Sequence, residues 1–402
     1  MKIDSPFGRF DDLRSGESWV FPEVAYSLVA TRLEQVVPVL AEVERVTELG
    51  RWAFGFVAYE AAPGLDHRLP VQRPMAGLPL VWFGVCAEPQ RGRALTPPVP
   101  GLYRTDPWRA EWSSEQHHQR VQAVREQIAA GETYQCNLTT RLSGRVTGDL
   151  SACYADLALA QGGAYNAYLD LGRFAIASAS PELFFENRDG DVHMRPIKGT
   201  ASRGRDSVED AALLAALRSS RKEHAENVMI VDLVRNDLAR VAVTGSVRVT
   251  SLCRAEQFET VHQLISDVGA RLRPGTGLVE MFQAMFPCGS VTGAPKPRTM
   301  RLIQELEDSP RGVYCGAVGM LAPAGASFRA RFNVAIRTLL IDRETGAATY
   351  GTGGGITWDS VPAAEYAELW AKAAVLRRLG KAPDNRVDTL VHPLSDPRPI
   401  RQ

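Results

Sequence analysis

The amino-acid sequence predicts an α+β protein. Segments with the alternating pattern of β-strands are mixed with segments of helical periodicity, and they do not follow the regular spacing of βαβ units. The 402 residues are 45% hydrophobic, which is enough for a sizeable core. A chain of this length forms one large domain or a few smaller ones.

Charge, hydropathy and cysteine usage exclude several classes of protein. Lys+Arg and Asp+Glu balance at 46 each, so no global field points to nucleic acid or to a membrane. The longest apolar run, residues 78–87, is too short to span a bilayer, and residues 1–10 lack the apolar segment of a secretory signal. The six cysteines show no zinc spacing. We therefore expect a soluble, cytoplasmic protein without a nucleic-acid or membrane partner.

The chain divides into three predicted parts. Residues 1–110 form an N-terminal portion that contains two buried strands and ends near a Pro-rich stretch, a candidate linker. Residues 111–382 carry the motifs described below and begin with a helix over 115–130, capped by Ser113–Ser114. Residues 383–402 are predicted to be a loose tail.

Beyond residue 133 the patterns predict both strands and helices. The strands lie over 133–144, 167–186 (a hairpin turning at Gly172–Arg173), 193–200, 247–250, 313–321, 332–341 and 348–350. The helices lie over 209–217, 222–238, 279–286, 298–307 and 362–379.

A lysine stands at the centre of PIKGT, residues 196–200. Lys198 follows an apolar lead-in and precedes a Gly–Thr turn. A desolvated ε-amine loses its proton more easily and becomes a nucleophile. The ordinary alternative is a surface lysine at a strand end, and only the neighbouring motifs favour the nucleophile.

A carboxylate follows a proline in SASPELFF, residues 178–185. Glu182 stands between an apolar strand and an aromatic pair. Apolar surroundings raise the pKa of a carboxyl group, which lets it act as a general acid. A turn glutamate is the alternative interpretation.

Two predicted helices each present a pair of carboxylates on one face. Glu223 and Glu226 are three residues apart, and Glu365, Glu368 and Lys372 form a single stripe on the last helix. Two such pairs can hold Mg²⁺ through a few oxygens and leave positions open for a substrate. Ordinary surface ion pairs on each helix are the alternative.

Two glycine-rich segments and one arginine complete the candidate binding residues. Residues 286–298 are not a phosphate-binding P-loop, and residues 350–357 do not match a dinucleotide-binding loop. Their glycines would let backbone N–H groups approach an anion closely. Arg337 is a charge inside an apolar run, and a ligand carboxylate is a natural bidentate partner for it.

Eight short motifs follow one another between residues 180 and 372. They are SPELF, PIKGT, AENVMIVDLVRNDL, FPCGSVTGAPK, RGVYCGAVG, IRTL, GTGGGI and the final ExxExxxK. Together they resemble the chorismate-utilising enzymes over roughly residues 115–380. The resemblance implies one large domain of two packed antiparallel β-sheets flanked by helices, with a cleft that binds chorismate and Mg²⁺.

The resemblance also implies roles for the candidate residues. Glu226 and Glu368 match the Mg²⁺ ligands, and Glu223 and Glu365 support them through water. The other matches contact the substrate: Arg337 and Tyr314 bind a carboxylate, Gly353 and Gly355 offer backbone donors to the ring carboxylate with Lys372 as its charge partner, His262 lies near the ring and the pyruvyl group, and Ser290 and Thr200 supply hydroxyl contacts.

Within that family the sequence is most similar to aminodeoxychorismate synthase component I. Gln135 stands where the members that use water carry a lysine base, which favours ammonia as the nucleophile. Lys198 would attack C2 of chorismate while Glu182 protonates the departing 4-hydroxyl group. Cys86 resembles only half of a glutaminase nucleophile elbow, so ammonia is expected from a separate glutamine amidotransferase subunit or from solution. Anthranilate synthase component I and a catalytically silent binding paralogue remain the alternatives.

Overall fold

Two antiparallel sheets face each other across the core of a computed structural model that describes residues 6–258 and 261–380. Every strand pairing in both sheets is antiparallel, as expected for an α+β fold. The predicted fold class and the two packed sheets are therefore confirmed. Residues 381–402, which include the predicted loose tail, lie outside the described residues.

The strands are distributed over an eleven-stranded and a ten-stranded sheet. The first contains β1 (Phe7–Asp12), β2 (Glu17–Phe21), β6 (Gln90–Arg91), β7 (Tyr103–Thr105), β8 (Arg109–Ala110), β9 (Gln135–Gly148), β10 (Tyr165–Asp170), β11 (Phe174–Ser180), β17 (Gly293–Ala294), β20 (Thr338–Asp342) and β21 (Ala347–Ile356). The second contains β3 (Tyr26–Ala30), β4 (Trp52–Val57), β5 (Val81–Cys86), β12 (Leu183–Arg188), β13 (Asp191–Arg195), β14 (Ile197–Ser202), β15 (Arg248–Gln257), β16 (Val261–Arg271), β18 (Ala317–Leu321) and β19 (Ala330–Val334).

Helices cover the outer faces of the sheets. They are α1 (Val36–Glu48), α2 (Ala62–Leu65), α3 (Ser114–Ala129), α4 (Leu150–Gln161), α5 (Ser207–Ser219), α6 (Arg221–Ala239), α7 (Leu278–Met285), α8 (Lys296–Leu306) and α9 (Pro362–Lys372). Short 3₁₀ turns lie over Leu33–Gln35, Tyr59–Ala61, Gly289–Val291 and Ala374–Arg377. In the described part of the chain, no helix is both long enough and apolar enough to cross a membrane.

Aromatic side chains fill the space between the sheets. Phe21 of the first sheet stacks on Phe54 of the second with ring centroids 5.0 Å apart, and Phe10 meets Phe54 edge-on. All six residues of β4 are buried because one face meets the opposite sheet and the other meets helices such as α1. A fully buried strand reads as a continuous apolar run, which is why this one was predictable from sequence.

The N-terminal 110 residues belong to both sheets. They supply β1, β2 and β6–β8 to the first sheet and β3–β5 to the second. The predicted N-terminal portion is thus interleaved with strands from the rest of the chain. The predicted linker stretch contains no helix and no strand.

Two predicted elements are wrong in a way that matters for the site. The single strand predicted over 332–341 is two strands, β19 and β20, in different sheets, because Arg337 adopts a left-handed backbone conformation with φ of 53°. The second half of the predicted hairpin over 167–186 also splits, since β11 and β12 belong to different sheets. In addition, the predicted C-terminal helix ends at Lys372 rather than near residue 379.

Candidate active site

An open cavity brings together most of the candidate residues. Thirteen of the fifteen line it: Glu182, Lys198, Thr200, Glu223, Glu226, Ser290, Tyr314, Arg337, Gly353, Gly355, Glu365, Glu368 and Lys372. They come from strands of both sheets, from α6 and α9 and from the connections between the sheets. Residues far apart in the chain therefore converge on one concave and strongly charged surface.

Two connections between the sheets carry Glu182 and Arg337. Glu182 lies where the chain leaves β11 for β12, and Arg337 lies where it leaves β19 for β20. The connections are bonded to the neighbouring strands: the N–H of Val334 donates to the Glu182 carbonyl at 3.1 Å, and the N–H of Ala179 donates to the Arg337 carbonyl at 3.1 Å. Regular strands on both sides therefore fix the two side chains opposite the carboxylate-bearing helices.

Glu182 is a buried carboxyl group that is only partly satisfied. Its residue exposure is 2%, and Oε1 has no hydrogen-bond partner. Burial raises the pKa of Glu182 to about 7, although the Ser290 hydroxyl, the Lys198 charge and the backbone N–H of Ile197 act in the opposite direction. A carboxyl group with such a pKa keeps a large protonated fraction at neutral pH and can donate that proton.

Arg337 is a buried cation with no carboxylate partner among the described residues. Its Nη1 donates to the Lys372 carbonyl at 3.1 Å and to Gln161 Oε1 at 3.4 Å, both of which are neutral acceptors. A buried guanidinium normally pairs with an anion because leaving its charge uncompensated is costly. The site therefore offers this charge to an anionic ligand that enters the cavity.

Lys198 differs from the other lysines in the described part of the chain. Lys222, Lys296 and Lys372 each lie within 4.0 Å of a carboxylate oxygen, whereas Lys198 forms no such ion pair. Its backbone is held in place by Asn227, whose Nδ2 donates to the Lys198 carbonyl at 3.2 Å. The amine is thus positioned on the cavity wall without being neutralised by a direct contact.

Gln135 lies next to Lys198 although it does not line the cavity. A Cβ atom placed on Gly355 would lie 2.5 Å from both Gln135 Nε2 and Lys198 Nζ, so only glycine leaves room for the two groups. Gln135 is 2% exposed, and neither of its amide atoms has a hydrogen-bond partner. Its unsatisfied donor and acceptor are therefore available to a small polar molecule beside the lysine.

Four carboxylates on two helices line the same cavity. Glu223 and Glu226 project from α6, and Glu365 and Glu368 project from α9. Burial, together with the neighbouring Glu223 and Glu365, raises the pKa of Glu226 to about 7, with Lys198 and Lys222 opposing. These like charges are crowded in a partly buried site that a cation would stabilise.

Only one of the four carboxylates is held by a close lysine contact. Lys372 Nζ lies 2.6 Å from Glu368 Oε1 and lowers the pKa of Glu368. Burial and the charge of Glu368 raise the pKa of Glu223. The same Lys372 amine donates to the Gly353 carbonyl at 2.8 Å, which ties α9 to β21.

The described carboxylates do not form a closed metal cage. Among residues 6–258 and 261–380, no three His, Cys, Asp or Glu side chains are close enough together to enclose a metal ion. Mg²⁺ is commonly held by one or two carboxylates, with water and substrate oxygens completing its shell. Glu226 fits this pattern, because its Oε1 is buried without a hydrogen-bond partner.

His262 is the candidate residue that the structure keeps away from the cavity. It alternates along β16 with Gln263, which lines the cavity opposite Thr200. The His262 ring faces α5 instead, where Nε2 lies 2.8 Å from Asp210 Oδ1. Its Nδ1 is buried without a partner.

Several lining residues were not predicted from the sequence: Asn137, Lys222, Gln263, Tyr350 and Thr352. Asn137 could have been found, because it stands two residues after Gln135 on the same strand and therefore on the same face. Lys222 could have been found from its place four residues before Glu226, on the same helix face. Gln263 could not have been found in this way, because the polar alternation of β16 does not reveal which of its two faces lines the cavity.

Comparison with known proteins identifies the family. The family model described as chorismate binding enzyme matches residues 23–378. The chain belongs to the chorismate binding enzyme family. The match includes most of the N-terminal portion, in agreement with its place in both sheets of the family fold.

Relatives in this family are named either aminodeoxychorismate synthase or anthranilate synthase component 1, the latter including a protein of Aeropyrum pernix that is 43% identical over 255 residues, covering 63% of this chain and 57% of the relative. The chain is 44% identical over 260 residues to an aminodeoxychorismate synthase of Streptomyces griseus, covering 64% of this chain and 35% of the relative. It is 40% identical over 280 residues to aminodeoxychorismate synthase component 1 of Klebsiella aerogenes, covering 69% of this chain and 61% of the relative. The chain therefore matches from about a third to three fifths of the length of these relatives.

A solved structure extends the likeness to nearly the whole chain. Anthranilate synthase component I from Streptococcus pneumoniae superposes with a TM-score of 0.70 at 29% sequence identity, covering 91% of this chain and 89% of that one. The packed sheets are thus features of a family architecture.

Proposed function

We propose that this chain converts chorismate and ammonia to 4-amino-4-deoxychorismate, as the chorismate-binding component of an aminodeoxychorismate synthase. The observation that carries the proposal is Lys198, an amine without an ion pair in the described structure, on the same cavity wall as the buried acid Glu182. The names of relatives at 40–44% identity support the same assignment.

The cavity suits a substrate that carries two carboxylates. Arg337 offers a cation without a carboxylate partner in the described structure, and a carboxylate accepts from a guanidinium through two parallel hydrogen bonds. The Tyr314 ring packs directly on Gly351 of β21, where a Cβ atom would lie 2.2 Å from it. Tyr314 and Arg337 line the same cavity. The second carboxylate would lie along Gly353–Gly355, near Lys372.

Glu226 and Glu368 would hold Mg²⁺, with Glu223 and Glu365 supporting them through water. A bound Mg²⁺ supplies a positive charge that orients and neutralises a substrate carboxylate. The crowding of four carboxylates supports this assignment, because their mutual repulsion is relieved by a divalent cation. We propose the metal on these grounds together with the resemblance of the motifs.

The first chemical step is an addition by Lys198 that expels water. The lone pair of Nζ forms a bond to C2, both conjugated ring double bonds shift away from C2 towards C4, and the C4–O bond breaks. Glu182 donates a proton to the departing hydroxyl group, which leaves as water. The raised pKa of Glu182 supports this role, since an ionised carboxylate could not donate.

The second step replaces the lysine with ammonia. Ammonia adds at C4, both ring double bonds shift back, and the C2–N bond to Lys198 breaks. The proton released from the nitrogen returns to the site, so the net change is chorismate plus ammonia to aminodeoxychorismate plus water. The unsatisfied amide of Gln135, beside Lys198, is suited to receive the ammonia molecule.

A separate glutamine amidotransferase is the proposed source of ammonia. Cys86, the residue that resembles part of a glutaminase elbow, lies in the buried strand β5, and burial raises the pKa of its thiol to about 12. A thiol in that state is not a nucleophile. The name "component 1" of the Klebsiella relative supports a second component as partner.

Product mass tests the proposal. The purified chain is incubated with chorismate, Mg²⁺ and ammonium, and we expect a product that has exchanged a hydroxyl for an amine and kept its pyruvyl group. A product that has lost pyruvate would instead indicate anthranilate synthase. Absence of any turnover would favour a silent binding subunit.

Trapping the covalent adduct tests the role of Lys198. Without ammonia, enzyme mixed with chorismate and Mg²⁺ and then quenched in acid should carry chorismate less one water on the peptide containing Lys198. Lys198→Ala should give no adduct, and Glu182→Gln should form it about 100-fold more slowly, the usual range for loss of a general acid. Full activity of Lys198→Ala would contradict the covalent mechanism and favour direct attack by ammonia.

A further inference from the structure

Lys222 lies between the two carboxylate-bearing helices. Its Nζ is 3.8 Å from Glu226 Oε1 on its own helix, α6, and 3.5 Å from Glu365 Oε1 on α9. Both distances exceed those of a charge-assisted hydrogen bond. The amine therefore shares its charge between the helices without being bonded tightly to either.

Stabilisation of its own helix does not explain a lysine at this position. α6 begins at Arg221, so Lys222 lies in the first turn, where the helix dipole disfavours a cation. The order of the pair is also the weaker one, because a lysine placed four residues before a glutamate stabilises a helix less than the reverse order. The position gains its favourable energy from the carboxylates that face it across the cavity.

The choice of lysine at the cavity is itself informative. Six of the 46 Lys and Arg residues in the sequence are lysines, and three of them, Lys198, Lys222 and Lys372, line this cavity. Lysine carries a compact, strongly hydrated charge on a flexible chain, whereas arginine forms rigid bidentate contacts. A lysine can therefore leave a carboxylate that an arginine would hold.

We propose that Lys222 is the counterion of the cavity carboxylates in the metal-free enzyme and that an arriving divalent cation displaces it. The inference rests on the proposed metal role of Glu226 and its neighbours. Glu226 Oε1, which lies 3.8 Å from the Lys222 amine, is otherwise buried without a hydrogen-bond partner. One oxygen thus faces either the ammonium or the metal.

The exposure of Lys222 allows the exchange. Its side chain is 41% exposed, while that of Glu226 is 12% exposed and that of Glu365 is 5% exposed. The amine can rotate into water when the metal arrives, whereas the carboxylates stay in place. Ser360 fixes Glu365 further, since its Oγ donates to Glu365 Oε1 at 2.7 Å.

Mn²⁺ binding measures the competition directly. Free Mn²⁺ is followed by electron paramagnetic resonance during titration of the full chain, without substrate, in wild type, Lys222→Met and Arg221→Met. Arg221→Met is the matched control, because it removes one positive charge from the adjacent exposed residue, which forms no ion pair in the described structure. We expect about tenfold tighter binding for Lys222→Met, with a gain that shrinks at high salt, and a change of less than about twofold for the control.

The outcomes separate this inference from the proposed function. Unchanged or weaker Mn²⁺ binding by Lys222→Met, with binding by wild type, overturns the displacement of Lys222 and leaves the metal role standing. No Mn²⁺ binding by wild type or either variant overturns both. Tighter binding by Lys222→Met supports the inference even in an enzyme preparation that makes no aminodeoxychorismate.

A labelling measurement keeps the test independent of the variant's folding. Wild-type enzyme is treated briefly with acetic anhydride, with and without Mn²⁺, and the acetylated peptides are weighed. Acetylation of Lys222 should become several-fold faster with Mn²⁺, because the displaced amine is free in water. Lys296, buried against Asp237 at 2.7 Å, serves as the internal reference. An unchanged or slower rate at Lys222 contradicts the inference.

Discussion

Arg311 and Arg337 are two buried arginines beside the same cavity, but only Arg311 forms hydrogen bonds with a carboxylate of the described structure. Arg311 meets the Glu307 carboxylate through Nε at 2.9 Å and Nη2 at 2.6 Å, and it donates further to the carbonyls of Val291 and Asn137. Arg337 meets neutral oxygens: the Lys372 carbonyl, Gln161 Oε1 and the Tyr350 hydroxyl. The charge of Arg311 is compensated by Glu307, whereas the charge of Arg337 has no carboxylate partner in the described structure.

This difference indicates that Arg311 supports the fold and that Arg337 binds a ligand. The Arg311–Glu307 pair holds the carbonyls of two residues that line the cavity, so its completed contacts shape the wall. Arg337, in its left-handed conformation, keeps an unbalanced charge that the fold has to tolerate. A buried charge whose contacts are complete therefore supports the site, while one whose contacts are incomplete belongs to the ligand.

Breaking the completed pair should have the largest effect. Arg311→Met leaves the Glu307 carboxylate buried with hydrogen bonds only from the N–H and hydroxyl of Thr139. We expect a loss of about 3–5 kcal/mol in the free energy of unfolding, measured by urea denaturation. Arg311→Met combined with Glu307→Met should recover much of that loss. A single variant as stable as wild type would contradict the structural role of the pair.

Removing the incomplete charge should affect activity and leave stability nearly intact. Arg337→Met should lower kcat/KM for chorismate about 100-fold, the effect of losing a charge-assisted contact worth roughly 2–3 kcal/mol. Its free energy of unfolding should stay within about 1 kcal/mol of wild type, because no ion pair is broken. Steady-state kinetics and urea denaturation on the same preparation provide the check. A stability loss as large as that of Arg311→Met would show that Arg337 also stabilises the fold.

The smallest effect is expected in the pH dependence of stability. The folded pKa of Glu182, about 7, lies above its ordinary value of 4.5, so its favourable contribution is complete below pH 4.5 and is lost as pH rises through 7. Glu182→Gln cannot ionise, and it should flatten the fall in unfolding free energy between pH 5 and pH 8 by about 1–2 kcal/mol. Parallel curves for wild type and variant would show that this carboxyl group is not desolvated.

The sequence predicts the local features of this molecule well and the non-local ones poorly. The strand β4 and the capped helix α3 follow from apolar runs and from the Ser113 cap, which are properties of neighbouring residues. The break at Arg337 does not follow, because NVAIRTL reads as one apolar strand. The two halves separate only when each finds a partner in a different sheet.

The candidate site shows the same contrast between local features, which the sequence predicts, and non-local features, which it does not. Spacing places Glu223 beside Glu226 on one helix face, and the structure keeps them on one wall. Motif resemblance groups His262 with the cavity residues, but strand alternation directs its ring toward Asp210. Which face of β16 lines the cavity depends on pairing with β14, and no local pattern contains that information.

The interleaved N-terminal strands have a consequence for synthesis of the chain. Strand β4 pairs with β18, so Trp52–Val57 lacks one of its two partner strands until Ala317–Leu321 has been synthesised. A ribosome adding about 5–20 residues per second needs from about 13 seconds to nearly a minute for that interval. During that time two wholly apolar strands, β4 and β5, have only each other and β3. The nascent protein thus exposes the apolar edge of a three-stranded fragment until β18 has been synthesised.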